Sequence, residues 1–153
     1  MAAAAITPWR FIAAGFGSGW APKAPGTFGS LVGLAIGCLL LPAGHLAVLA
    51  GTMVATVLGI YAIGQLPEAR EDPGWIVIDE IAGQMIPLLA LHALNIWGAV
   101  LAFALFRLFD IWKPWPVNWA DRRRDEFGIM GDDIIAGLLA LAAMFILHRV
   151  LPL

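Results

Sequence analysis

The sequence predicts an all-α fold: a small polytopic membrane helical bundle of four to five membrane-embedded helices. Three observations predict it. Of the 153 residues, 61% are hydrophobic and only 13% charged, where soluble domains average about one-quarter charged. Charge is absent from three long blocks, 24–67, 81–106 and 134–148, which is the pattern of membrane-embedded segments. Folded back and forth, those blocks bring four charged patches, 10–23, 68–80, 107–126 and 132–133, to one face. Nineteen of the twenty charged residues then share that face, and only Arg149 lies on the other. The length fits one domain, 1–153.

The elements follow in order. The N-terminal stretch 1–14 is Ala-rich. It lacks the positive start and long apolar core of a cleaved signal peptide, so insertion is assigned to the internal spans. Residues 15–30 (GFGSGWAPKAPGTFGS) form a loop leading into a helix. The apolar block 31–66 is broken at Leu41-Pro42-Ala43-Gly44-His45, which predicts a helical hairpin with arms near 29–41 and 46–66. Further arms are expected near 79–94, ending at Asn95, near 97–112, and near 132–150. Several fall short of the roughly 20 residues that cross a bilayer. Gly29, Gly33 and Gly37, and likewise Gly51, Ala55 and Gly59, recur every fourth residue, a spacing that lets helices approach closely.

Lys23, Arg70, Lys113 and Arg122–Arg124 all fall on the shared face, while the turns at 42–45 and 92–97 carry no Lys or Arg. Positive loops stay inside, so the charged face is expected to be cytoplasmic. Trp112, Trp115 and Trp119 fit an interfacial belt beside it. Cys38 stands alone, which excludes an internal disulfide. No basic stripe points to nucleic acid, and oligomeric state is not legible.

The candidate chemistry lies in the charged patches. Arg107, Asp110 and Lys113 are spaced three apart, on one helical face. Asp79-Glu80 and Asp132-Asp133 are adjacent acids, each expected at the start of a helix. Packing those helices would crowd Asp79, Glu80, Asp110, Asp132 and Asp133 into one partly desolvated site, where joint ionisation is disfavoured. A divalent cation relieves that repulsion, and an all-oxygen set favours Mg²⁺ or Mn²⁺ over zinc. Magnesium commonly combines one or two carboxylates with substrate phosphate. The 15–30 loop offers backbone N–H groups, Lys23, Thr27 and Ser30 to an anion. It is neither a Walker A loop nor a dinucleotide fingerprint. His45, His92 and His148 are expected away from the carboxylates, and Cys38 has no arginine six residues on. Phosphohistidine and cysteine-phosphatase routes are therefore excluded. No Asp-x-Asp pair occurs, which argues against a haloacid-dehalogenase mechanism.

The chain resembles the phosphatidylglycerophosphatase A family of bacterial membrane lipid phosphatases. The resemblance rests on GFGSGWAPKAPGTFGS (15–30), IDEIAG (78–83), FRLFDIWKPWPVNWADR (106–122) and GIMGDDIIAG (128–137), in the family's order over most of the chain. Glu126 stands where the family often has glycine. The resemblance implies an all-α fold and Mg²⁺-dependent hydrolysis of phosphatidylglycerol phosphate to phosphatidylglycerol and phosphate. It implies a multi-pass protein of the bacterial inner membrane, with its site facing the cytoplasm. It carries over Asp79, Glu80, Asp110, Asp132 and Asp133 as the acidic site, and Arg107, Lys113 and Arg122 as phosphate contacts. On that footing Asp79, Glu80, Asp132 and Asp133 are expected as metal ligands, with Asp110 as ligand or base. Asp79, Glu80, Asp110 and Asp133 are the expected catalytic set; Lys23, Thr27, Ser30, Arg107, Lys113 and Arg122 are expected around the phosphate.

Alternatives remain open at this level. Direct attack by water and an aspartyl-phosphate intermediate both suit these residues. Another lipid phosphomonoesterase would need the same groups. A phosphatidyltransferase acting on a CDP-activated lipid also uses acids and Mg²⁺, but its Asp-Gly-x-x-Ala-Arg run is absent. A non-enzymatic channel or transporter subunit would place ionisable residues deep in the spans, where this sequence has none.

Overall fold

The computed structural model describes residues 4–151. Its regular structure is entirely helical, with no strand among the described residues. Helix α1 (Pro8–Ala13) begins at Thr7, whose hydroxyl oxygen accepts from the Arg10 N–H at 3.2 Å. A loop containing a 3-10 turn (Ser18–Trp20) leads to α2 (Pro25–Leu40), again with proline at the first helical position. A second 3-10 turn (Leu41–Ala43) and Gly44, at φ +104°, reverse the chain into α3 (His45–Gly64).

After a 3-10 turn (Pro67–Glu71) comes α4 (Ile78–Met85), which continues as a 3-10 helix over Ile86–Ala90. Pro87 accounts for the tightening, because it has no N–H to give to the carbonyl four residues back. Asn95 caps α5 (Ile96–Trp112), its side-chain oxygen accepting from Gly98 N–H at 2.7 Å. Lys113 ends α5 in the left-handed region at φ +52°, and Pro114 prevents resumption. Short α6 (Val117–Asp121) precedes α7 (Glu126–Val150).

Among the described residues three helical stretches are long and apolar enough to cross a membrane: Pro25–Ala43, His45–Gly64 and Glu126–Val150. The α5 helix, at 17 residues, rises roughly 25 Å, and α4 with its 3-10 extension roughly 22 Å. Both fall short of a hydrocarbon core of about 30 Å. The expected start of the last helix near residue 132 needs correction: α7 begins six residues earlier, at Glu126. Asp125 fixes that start by accepting from Gly128 N–H at 2.9 Å. Gly128 to Gly131 are therefore helical, and Asp132-Asp133 sit in the second turn.

The short α4 occupies the centre and packs on α2, α3 and α7. Ile78, Ile81, Ala82, Gly83, Gln84 and Met85 are all buried. Gly83 is where α4 meets α7: a methyl there would lie 2.5 Å from the Asp133 carbonyl oxygen and 2.6 Å from the Phe106 ring. The glycines of α2 also face α4, and a methyl on Gly33 would lie 2.6 Å from the Ile81 carbonyl oxygen. The four-residue spacing thus serves helix packing.

The ends of the helices sort by chemistry. At one end Gly26 of α2 lies against Glu80 and Arg107, and Gly64 of α3 lies against Glu126. At the other, the His45 ring nitrogen Nε2 is 2.7 Å from the Leu91 carbonyl oxygen, and the His45 and His92 rings are 6.3 Å apart. Trp112, Trp115 and Trp119 are exposed at the charged end.

Candidate active site

Two pairs of adjacent acids meet where α4 crosses α7. Asp79 and Glu80 lie in the first turn of α4, and Asp132 and Asp133 in the second turn of α7. One carboxylate oxygen from each of Asp79, Asp132 and Asp133 lies within 4.8 Å of the others. All three residues are buried, Asp133 to 2% exposure. The close approach at Gly83 permits this, because a larger residue would force the two helices and their carboxylates apart.

The local bonding is the same in both pairs. Asp79 Oδ1 accepts from Glu80 N–H at 3.0 Å, and Asp132 Oδ1 accepts from Asp133 N–H at 2.9 Å. The second acid of each pair is left short: Glu80 Oε2 and Asp133 Oδ1 are buried with no hydrogen-bond partner among the described residues. Buried carboxylate oxygens without partners are costly.

The end of α5 adds charge of both signs. Asp110 is buried and bonded to the Arg107 guanidinium. Arg107 Nη1 also donates to Ser30 Oγ at 3.4 Å. Lys113 leaves the helix and turns its ammonium to Asp132 at 2.8 Å and Asp121 at 3.0 Å. Burial works against the charged Lys113, but hydrogen bonds and attraction from Asp132 and Asp121 prevail and hold its pKa above the ordinary lysine value. Burial would raise Asp121, but Lys113 outweighs it and holds that carboxyl below its usual range. Six carboxylates, Asp121 included, thus stand around two cations.

A cavity of about 150 Å³ opens here, and its walls include Asp79, Glu80, Asp110, Lys113, Asp132 and Asp133. The structure therefore brings together all five sequence-read acids with Arg107 and Lys113. Of the expected phosphate contacts only Lys113 lies in the cavity wall, and Arg107 is bonded to Asp110, which lines it. Lys23 and Arg122 are exposed, and Thr27 is partly buried in the first turn of α2. Ser30 is fully buried, donates to the Gly26 carbonyl at 2.8 Å and accepts from Arg107 at 3.4 Å.

Two residues gain a place that spacing does not reveal. Asp72 lines the cavity mouth. Burial lifts its carboxyl above the usual range, with Asp121 adding to the effect. Asp121 ends α6 and anchors Lys113, because the turn around Pro114 and Pro116 sets α6 against α7. The only signals for them are the Asp72-Pro73-Gly74 turn and the paired prolines, and neither fixes a direction.

The donor set fits a hard divalent cation. Three carboxylates converge, no Cys or His lies among them, and the orphaned Asp133 oxygen lacks a partner. Beside that point stand a lysine and an arginine, the groups that bind phosphate.

A sequence profile described as phosphatidylglycerophosphatase A matches residues 11–148. The phosphatidylglycerophosphatase A of Escherichia coli (strain K12) is 39% identical over 152 residues, covering 95% of this chain and 87% of that protein. The phosphatidylglycerophosphatase A of Haemophilus influenzae is 40% identical over 144 residues, covering 92% and 88%. A Bacteroides thetaiotaomicron protein given the provisional name phosphatidylinositol-3-phosphatase is 41% identical over 135 residues, covering 83% and 85%. No solved structure matches the chain.

Proposed function

The chain belongs to the phosphatidylglycerophosphatase A family, and we propose that it hydrolyses phosphatidylglycerol phosphate to phosphatidylglycerol and inorganic phosphate, using Mg²⁺. Family membership makes it a phosphoric monoester hydrolase. The observation that carries the site assignment is the convergence of Asp79, Asp132 and Asp133 within 4.8 Å, beside Lys113 and Arg107, at one end of a membrane bundle. A lipid phosphomonoester lies at that depth, just outside the hydrocarbon.

Asp79, Asp132 and Asp133 would hold the cation. When bound, Mg²⁺ supplies neutralisation of phosphoryl oxygens and a lowered pKa for water. Arg107 and Lys113 are positioned to stabilise charge on the transferring phosphoryl group. Asp110 and Ser30 orient Arg107, and Asp121 orients Lys113. Glu80 is the proton acceptor, because its Oε2 is unpartnered and it stands outside the three-aspartate group. As water oxygen attacks phosphorus its proton passes to Glu80, and the bond to the glycerol oxygen breaks as that oxygen takes the proton back from Glu80 and leaves as the alcohol. In this reading the site faces the cytoplasm of the bacterial inner membrane, an orientation supported by the placement of Lys and Arg at that end.

The purified protein in detergent should release phosphate from phosphatidylglycerol phosphate with Mg²⁺ and lose that activity in EDTA. Full activity in EDTA would remove the metal from the proposal. The Bacteroides relative motivates a second reading, an inositol-lipid phosphomonoester as substrate. Competition between the two lipids in mixed micelles decides it: the lipid with the higher kcat/KM is the substrate.

A further inference from the structure

A second polar cavity lies at the same end of the bundle, outside the carboxylate site. It has about 490 Å³ of space and opens between the end of α3, the 3-10 turn Pro67–Glu71 and the start of α7. Arg70 enters from the turn and Arg124 from the segment before α7. Both are exposed, and neither makes an ion pair among the described residues. Their neighbour Arg123 is engaged differently, bonded to Asp125 at 3.1 and 2.6 Å.

The lining is not purely basic. Asp125, already held by Arg123, and Glu126 face the same space, and the Glu126 carboxyl lies over Gly64, where an added methyl would come within 3.8 Å. Ile63, Leu66 and Ala69, all buried, supply an apolar side. Two membrane-crossing helices frame the cavity at their charged ends, which is the depth of lipid headgroups. Unpaired arginines at that depth match a phosphodiester. A bare anion would leave Glu126 repelled, whereas a headgroup with a hydrogen-bond donor satisfies it.

The geometry points to a second phospholipid site, in which Arg70 and Arg124 hold the phosphodiester and a headgroup hydroxyl or ammonium donates to Glu126. Its ligand is a phospholipid with a donor-bearing headgroup, glycerol or ethanolamine, and not choline. The site does not rest on the proposed reaction, since nothing bound there need be hydrolysed.

The test uses full-length protein in nanodiscs of equal phosphatidylglycerol, phosphatidylethanolamine and phosphatidylcholine, with retained lipid identified by native mass spectrometry. A hydrogen bond to a charged carboxylate corresponds to about tenfold preference, so wild type should retain glycerol or ethanolamine lipid about tenfold over choline lipid. The relative retention of the first two identifies the headgroup. Arg70→Gln with Arg124→Gln should abolish retention of lipid at this site. Glu126→Ala should keep retention but admit choline lipid, an independent arm if the double variant misfolds. Asp133→Asn should change neither. The inference is overturned if wild type shows no headgroup preference, if the preference survives both sets of variants, or if Asp133→Asn removes it. Displacement by millimolar inorganic phosphate overturns the lipid assignment in favour of a free-phosphate site.

Discussion

Asp79-Glu80 and Asp132-Asp133 are the same two-residue device set in two unlike helices. In each, the first acid accepts from the N–H of the second, and the second keeps a buried oxygen without a partner. The settings differ. The first pair opens the short buried α4, where negative charge complements the helix dipole. The second lies a turn and more inside the long α7, beyond the region that Asp125 caps. The second pair also has a cation, because Lys113 binds Asp132, while Asp79 has no ion pair among the described residues. The contrast teaches that the local hydrogen-bond motif, rather than the helix start, orients these acids. It also predicts that the two pairs share metal binding but differ in their response to loss of a counter-charge.

The largest effect should come from the shared part. Asp79→Asn and Asp133→Asn should each lower phosphate release by about 10³-fold or more, with unchanged far-UV circular dichroism. Near-normal turnover in either variant would break the symmetry between the pairs. Next, Glu80→Gln should cost about 10²-fold in kcat while leaving the Mg²⁺ concentration for half-maximal activity unchanged. A large rise in that concentration would make Glu80 a ligand and the two pairs more alike.

Lys113→Met tests the asymmetry directly. It should lower kcat/KM by about tenfold and reduce the Mg²⁺ requirement, since Asp132 loses its competing cation. An increased requirement would mean that Lys113 positions Asp132 rather than neutralising it. The smallest effect belongs to Asp121→Asn. Because the Asp121 pKa is lowered, its contribution is present above about pH 4 and lost as pH falls through the folded value. The Lys113 pKa is raised, so its share persists at all lower pH and is lost only in strong alkali. Both side chains are about one-third exposed, so the stability change should stay below about 1 kcal/mol. Thermal melts in detergent between pH 3 and 7 would show it.

Much of this arrangement was legible because charge in a membrane sequence is sparse. Asp79, Glu80, Asp110, Asp132 and Asp133 stand out against charge-free blocks, and helix reversal alone carries them to one end. The four-residue glycine spacing announced the packing that α2 makes on α4. What stayed hidden depends on turns. Asp72 reads as an ordinary loop charge until the chain around Pro73 brings it to the cavity mouth. The expected separation between an acidic metal site and a basic phosphate cradle also dissolves in three dimensions: Arg107 is bonded to Asp110, and Lys113 to Asp132. Periodicity gave α7 too late a start because the cap at Asp125 lies among solvated charges that carry no apolar pattern. Short α1 and α6 have too few residues to show one.

The buried position of α4 has a consequence for how the protein is made. A segment this short, opening on two acids and carrying Gln84, is a poor candidate to enter a bilayer by itself. Its natural solvent is the surface of α2, α3 and α7, and α7 is synthesised after the other two. Until that helix arrives, Asp79 and Glu80 have no Asp132 or Asp133 to meet. A nascent chain that lacks α7 therefore cannot yet gather the four acids in one place.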